Sequence, residues 1–493
     1  MAFVSWILVI ASVVGLWIKV FRRPVLPKNA PNWWSGHDWP FLGATRFYTD
    51  RKDHFLDGLR SSSTGAFSFY IGRKHLIGLS GPAGRKVFYE TRGLSLAAGS
   101  ADLITGHPSS SEDMDNFVKW FKKTFLVVMP KERTRKNVHL LTNDAQSLLQ
   151  ELLPEQSSWG VFDPFDTIYE IIYQLTIRMV GPTEIAQDAK LRAKSLSILE
   201  SIEHSKSTMR VVFPWLPTIM HLRRTLRNIQ LGMLLHGLIR KRQKSGIRED
   251  DTMQILLDMG TSMRNTIGFV IGALFAGQLN TGINAAWVLV KLAENEQWTA
   301  RVRKEVDAVA ARNRKYHGQP TTEALGSLTL DDWESEFPNI CLCFHESIRL
   351  ALTGSSFRKN ISGQDIPIGN SGEVIPRDAY VAYLHDELHM NPDVYPNPTE
   401  FDPGRHLDER GEGQNVPHGY IGWGSGLHPC IGMKIAKTEM TIVLAYFIAI
   451  FDFELSDKHG NKINREPCQI NRNAELAEKP RSHIHLRYRR RSE

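Results

Sequence analysis

Tyr420-Ile421-Gly422-Trp423-Gly424-Ser425-Gly426-Leu427-His428-Pro429-Cys430-Ile431-Gly432 runs directly into Met433-Lys434-Ile435-Ala436-Lys437. Gly422, Gly424 and Gly426 precede a lone cysteine, and glycines let a backbone turn tightly and come close to something flat. Gly432 follows, and then a helical apolar pattern begins. The thiol therefore stands at the mouth of a loop that opens a helix, where the positive end of the helix dipole and the loop amides favour thiolate. No second Cys or His stands at zinc spacing. A thiolate so placed suits a cofactor that brings four ligands of its own, which points to haem.

The stretch resembles the cysteine loop of cytochrome P450 enzymes, Phe-Gly-x-Gly-x-Arg-x-Cys-x-Gly, with Trp423 in place of the Phe and His428 in place of the Arg. The resemblance implies a mainly α fold with small β-sheets around haem b. Cys430 would be the iron ligand, Trp423 would flank the cofactor and His428 would donate a hydrogen bond to a propionate.

Three further stretches carry the resemblance in the expected order. Pro338 opens a helix on which Glu346 and Arg349 share a face. Flanked by apolar residues, that pair is buried and needs a second cation. The family supplies one from Phe-x-Pro-x-Arg, present as Phe401-Asp402-Pro403-Gly404-Arg405, with His406 where an aromatic is usual. Bidentate geometry explains why arginine rather than lysine is required there. Between them, Leu352 to Asn360 is similar to the strand beside the haem, which would bring Arg358 to a propionate.

Thr266 to Leu292 is a long apolar segment interrupted by Gly277, Gln278, Asn280, Thr281 and Asn284. Polar groups in the middle of a buried helix must meet partners, water or a ligand. The family's central helix carries Ala/Gly-Gly-x-Asp/Glu-Thr-Thr, and here that reads Ala276-Gly277-Gln278-Leu279-Asn280-Thr281. Gly277 would leave space for oxygen. The acid is replaced by Leu279 and the proton-steering hydroxyl by Asn280. Thr281 lies about 100° further round the helix, so Asn280, orienting a water, is the first candidate for proton delivery and Thr281 the second. Asn at this position is similar to cholesterol 7-alpha-hydroxylases and to prostacyclin synthase. The Ala-Gly-Gln start and Trp287 resemble sterol 14-alpha-demethylases.

Around this centre, Ala2 to Ile18 carries no charge and is followed by Lys19, Arg22 and Arg23. A helix continuing to Phe21 spans about 30 Å, the thickness of a bilayer core. Basic residues on its C-terminal side keep that side cytosolic. The expected organisation is a membrane anchor over 1–21, a basic, proline-rich linker over 22–40 and a haem-thiolate catalytic domain over 41–493. Gly65 to Ser80 alternates as a hairpin turning at Gly72-Arg73-Lys74. Lys122, on a helix beginning near Asp115, resembles loosely a propionate-binding lysine of sterol 14-alpha-demethylases. The polar residues 311–327 read as a surface loop, and Phe453-Glu454-Leu455 and His483 to Tyr488 as terminal strands.

With four cysteines in 493 residues there is no disulfide framework, which fits a reducing compartment. The net charge of +7 is spread out except at Arg487, Arg489, Arg490 and Arg491. No basic stripe interleaved with aromatics suggests nucleic acid. That charge suits an anionic membrane surface or an acidic electron donor. The resemblance implies a monooxygenase on the endoplasmic reticulum membrane, single-pass, with its catalytic domain cytosolic. Its partners would be NADPH-cytochrome P450 reductase, with cytochrome b5 as an optional second donor, and a lipophilic substrate: a sterol, terpenoid or other polycyclic secondary metabolite. The missing acid and threonine keep open a haem-thiolate isomerase or dehydratase that needs no reductase. A non-catalytic haem-binding sensor is the third class.

Overall fold

The computed structural model describes residues 25–491 apart from 35, 37, 40–41, 106–110, 154–157, 206–207, 464–467, 475–477 and 481, and of the first 24 residues only 14 and 15. All of the expected anchor except residues 14 and 15, and the start of the linker, thus lie outside the described residues. Further along the linker, Ser68 donates its N–H to Asn32 O and Trp34 donates its own to Ser68 O, both at 2.9 Å. That part of the linker is docked on the sheet.

The architecture is mainly helical with small sheets, as expected. Five helices frame the site: α1 (Ser111–Val128), α2 (Pro164–Val180), α3 (Met263–Ala293), α4 (Pro338–Ala351) and α5 (Met433–Ile450). Four of them start or stop for a local reason. Asp163 accepts from Phe165 N–H at the head of α2, where Pro164 has no N–H to leave unsatisfied. Ser262 caps α3 through Asn265 N–H. Pro338 opens α4, and α5 ends where Phe451 turns extended.

The apolar segment of α3 is long enough to cross a membrane, but more than half of it is buried inside the protein. It is the core helix of the fold. It lies close against α2 because two glycines permit it: a Cβ at Gly282 would stand 2.6 Å from the Tyr169 ring, and one at Gly277 would stand 2.9 Å from Thr176 Cγ2. Trp287, Tyr446 and the apolar faces of α2, α4 and α5 complete one shared core.

Beside the helices lies a five-stranded sheet made of β1 (Ala66–Ile71), β2 (Lys74–Leu79), β3 (Leu94–Ser95), β4 (Ser355–Asn360) and β5 (Tyr380–Leu384), in the order β1-β2-β5-β4-β3. β2 and β5 run parallel and the other pairs antiparallel. The hairpin turns at Gly72, with φ +58°, as the sequence predicts. β6 (Gly424–Ser425) and β7 (His428–Pro429) form a tight hairpin, and β8 (Phe451–Ser456) pairs with β9 (His485–Arg490) near the C-terminus.

One expectation needs correction. Residues 311–327 are not loop throughout: Thr321–Gly326 is a short helix that buries Ala324 and Leu325. Its polar residues dominate the composition, while Thr321, Ala324 and Leu325 are buried and anchor it. Two of the C-terminal arginines are held in ion pairs. Arg487 pairs with Glu454 (2.6 Å) and Arg491 with Asp307 (2.7 Å), and Arg487 and Arg489 both lie over the Trp159 ring.

Candidate active site

The cysteine loop is built by its glycines. Gly424 (φ +69°) and Gly426 (φ +58°) adopt left-handed backbone that other residues rarely tolerate. A Cβ at Gly424 would stand 2.4 Å from His428 O, and one at Gly426 would stand 2.3 Å from Tyr89 O. The hairpin pairs His428 with Ser425 and Pro429 with Gly424. Cys430 N–H donates to Trp423 O at 2.7 Å, which closes the loop. The cysteine is exposed, on the wall of a cavity of about 470 Å³. Burial around the sulfur raises the thiol's pKa and the Gly432 N–H lowers it, with the balance upward. The Gly432 N–H thus acts in the direction that the sequence analysis expects of the loop amides, against desolvation.

The same cavity is lined from α3 by Gly277, Asn280, Thr281 and Asn284. Asn280 is exposed and Thr281 buried. The other polar groups of the segment are turned to internal tasks. Gln278 Nε2 donates to Tyr169 O at 2.7 Å, and Asn284 Nδ2 donates to Asn280 O at 2.7 Å. Leu279, in the acid's position, is buried.

At the edge of the cavity three bases converge. Arg358 on β4 is only 3% exposed; its Nη1 donates to Phe357 O at 3.2 Å, and its Nε has no partner among the described residues. Its guanidinium lies 4.7 Å from the Phe88 ring centre, and burial lowers its pKa to about 10. His428 Nδ1 lies 3.3 Å from Lys122 Nζ. Burial lowers the His428 pKa to about 4, with help from Arg358 and Lys122. Lys122 is lowered by burial and then by Arg358. Asp115 acts on both, but its carboxylate is engaged by Lys119 (2.7 Å) and Ser95 (2.8 Å). Two cations, Arg358 and Lys122, with the neutral His428 ring between them as a hydrogen-bonding group, fit an anionic molecule beside an apolar cavity. Trp423 lines the cavity too, with its indole Nε1 buried and unpartnered among the described residues. A Cβ at Gly432 would meet nothing within 4 Å. These features fit a planar cofactor carrying carboxylates, as haem does.

Glu346, Arg349 and Arg405 meet behind the loop, all essentially buried. Arg349 donates through Nε (2.9 Å) and Nη2 (2.8 Å) to the two Glu346 oxygens. Arg405 Nε adds a bond at 2.9 Å and Asp402 N–H one at 3.1 Å. His406 Nε2 lies 3.0 Å from Glu346 Oε2, so the replacement of the usual aromatic adds a hydrogen-bonding ring to this cluster. Burial alone would raise the Glu346 pKa; the bonds from Arg349 and His406 and the charges of both arginines hold it at about 2.

Sequence reasoning missed Glu439 on α5 and Thr176 on α2, both of which line the cavity. The signal for Glu439 was a lone carboxylate in the apolar run Met433 to Ile450. Thr176 lies in a region without any motif.

The cytochrome P450 family model matches residues 36–479. Cytochrome P450 monooxygenase AacuE of Aspergillus aculeatus is 32% identical, over 89% of this chain and 88% of its own. Cytochrome P450 monooxygenase nsrP of Aspergillus novofumigatus is 31% identical, over 86% and 84%. Lanosterol 14-alpha demethylase of Cunninghamella elegans is 22% identical, over 91% of each. A cysteine loop, a central helix and a buried Glu-Arg-Arg cluster in one arrangement agree with that match, and the chain belongs to the cytochrome P450 family of monooxygenases, which bind haem through a cysteine thiolate.

Proposed function

We propose that this chain is a membrane-anchored monooxygenase that inserts one oxygen atom of O2 into a lipophilic substrate, using electrons delivered by an NADPH-dependent reductase. The observation that carries the reading is a single cavity with Cys430 on one wall and Asn280 and Thr281 on another. A sterol, terpenoid or other polycyclic compound suits the apolar residues of that cavity, among them Leu96, Phe121, Phe125, Val180 and Leu352. The similarity to a lanosterol demethylase supports the sterol end of that range. The Ala2 to Ile18 stretch, uncharged and followed by basic residues, supports an anchor in the endoplasmic reticulum membrane with the catalytic domain cytosolic.

Haem held there, with Cys430 as its protein ligand, would supply the dioxygen chemistry. The chain does the rest. Cys430 offers its sulfur, the Gly432 N–H steadies the negative charge, and Trp423 flanks the ring. Arg358, His428 and Lys122 hold the carboxylates, which fixes the orientation. Gly277 keeps the centre of α3 slim, and the Asn280 carboxamide orients a water at the reacting face, with Thr281 one residue on. The apolar walls exclude bulk water and seat the substrate.

The test uses purified protein in two steps. A panel of lipophilic compounds is screened for spectral displacement of water from ferric haem, and the best ligand is then incubated with O2, NADPH and reductase. The expected result is oxygen uptake matched by a hydroxylated product. Product formed from a peroxide or activated substrate without reductase would instead identify an isomerase or dehydratase. The Cys430→Ser protein is expected to lose the carbonyl-ferrous Soret maximum of the wild type, and its retention would remove Cys430 as ligand.

A further inference from the structure

β4 carries a hydroxyl on the cavity wall whose proton is already committed. Ser356 and Arg358 are two apart on this strand, so they share a face, and both line the cavity with Cys430. Arg358 stands at the edge that suits carboxylates. Ser356 lies about 7 Å back along the strand, towards the apolar Leu352. Its Oγ is 2.8 Å from Nε2 of His385, the residue that follows β5. His385 is buried and held twice by neighbouring backbone: its own N–H donates to Gly354 O at 3.1 Å, and its Nδ1 lies 2.9 Å from Thr353 O. A carbonyl oxygen can only accept, so Nδ1 carries the ring proton and Nε2 keeps a lone pair. Burial lowers the His385 pKa to about 4, which leaves the ring neutral at neutral pH. The Ser356 O–H therefore donates to Nε2.

We propose that Ser356 selects for a hydroxyl group on the substrate of this cavity, with His385 as its positioning residue. A serine free to rotate takes a hydrogen-bond donor or an acceptor equally well. With its proton held by His385, Ser356 turns only lone pairs to the cavity, and Oγ has no other hydrogen bond among the described residues. An alcohol or phenol O–H can donate to it. An ether or carbonyl oxygen in the same place would set one acceptor against another. Carboxylates of the cofactor are refused for the same reason, which separates this point from Arg358, His428 and Lys122. A bond that only tied β4 to β5 would be redundant, because the ladder from Ser355–Leu384 to Lys359–Tyr380 already joins them. The inference rests on the monooxygenase reading for taking the cavity as the substrate's. It narrows that substrate to a lipophilic compound with a free hydroxyl.

The test measures binding to haem-loaded protein, by displacement of water from ferric haem, for two matched pairs of probes. One is 2-naphthol with 2-methoxynaphthalene; the other is a 3-hydroxysteroid with its 3-methyl ether. Wild type is compared with Ser356→Val and Ser356→Thr, which share a shape suited to a strand and differ in the hydroxyl. Wild type is expected to bind the hydroxyl member of at least one pair roughly tenfold more tightly than its ether, the worth of one hydrogen bond. Ser356→Val loses that preference and Ser356→Thr keeps it, and both retain the carbonyl-ferrous spectrum. In His385→Leu the serine is released to donate, and the ether is expected to gain on the alcohol, a change that a packing role would not produce. Should His385→Leu fail to load haem, the Ser356 variants carry the test. No preference in wild type, a preference that survives in Ser356→Val, or one lost equally in Ser356→Thr would overturn the proposal. Haem lost from Ser356→Val but kept by Ser356→Thr would overturn it too, by making Ser356 a partner of the cofactor. A wild type that takes up no O2 with reductase and NADPH would overturn the monooxygenase reading and leave the binding preference standing.

Discussion

Glu346 on α4 and Glu439 on α5 are both almost fully buried, yet their surroundings push their acidities in opposite directions. Glu346 accepts from two arginines and a backbone N–H, with the His406 ring alongside, and its pKa is held at about 2. Glu439 accepts from one hydroxyl, and its pKa rises to about 8. Burial costs each its hydration; only the first is given partners that replace it. The first site is therefore a charged strut, and the second a neutral acid.

The largest expected effect comes from breaking the strut. Arg405→Leu leaves Glu346 under-compensated and is expected to cost about 3–5 kcal/mol, read as a lower urea midpoint with unchanged m-value. The two glutamates should also bend the stability–pH curve differently. Glu346, depressed from 4.5 to about 2, stabilises fully above pH 4.5 and loses that contribution as pH falls towards 2. Glu439, raised from 4.5 to about 8, favours the folded state most below pH 4.5 and progressively less as pH rises towards 8. In Glu439→Gln that second slope, roughly 1.4 kcal/mol per pH unit at its steepest, is expected to vanish from denaturation curves taken between pH 5 and 8. Arg358→Leu tests the cavity's edge without touching either glutamate: haem retention is expected to weaken roughly tenfold to a hundredfold, measured by transfer to apomyoglobin. His406→Phe restores the aromatic residue usual in this family and removes one bond to Glu346. It is expected to cost about 1 kcal/mol in the same urea measurement.

How much of this could be read from the chain depended on whether a feature is local. The glycine loop announces itself because its close contacts fall between neighbours such as Gly424 and His428. Glu346 and Arg349 share a helix face one turn apart. The hairpin at Gly72 and the terminal strands show alternation that a single residue's backbone explains. Glu439 stayed hidden because its partner comes from α2, in a stretch with no pattern, and a lone acid beside Lys434 and Lys437 resembles a solvated helix face. The short helix at Thr321–Gly326 was misread because the burial of Thr321, Ala324 and Leu325 decides it, while the polar and glycine residues among them read as loop.

Gly426 has no room for even a methyl group against Tyr89 O, and the next residue, Leu427, donates its N–H to that same oxygen at 3.0 Å. Tyr89 belongs to the helix Gly81–Glu90, far upstream in the chain. The hairpin that presents the sulfur is consequently finished by contact with a distant element and is not a portable module. Capture of the prosthetic group then waits upon long-range assembly, and spectroscopic loading should report the folding of the whole molecule.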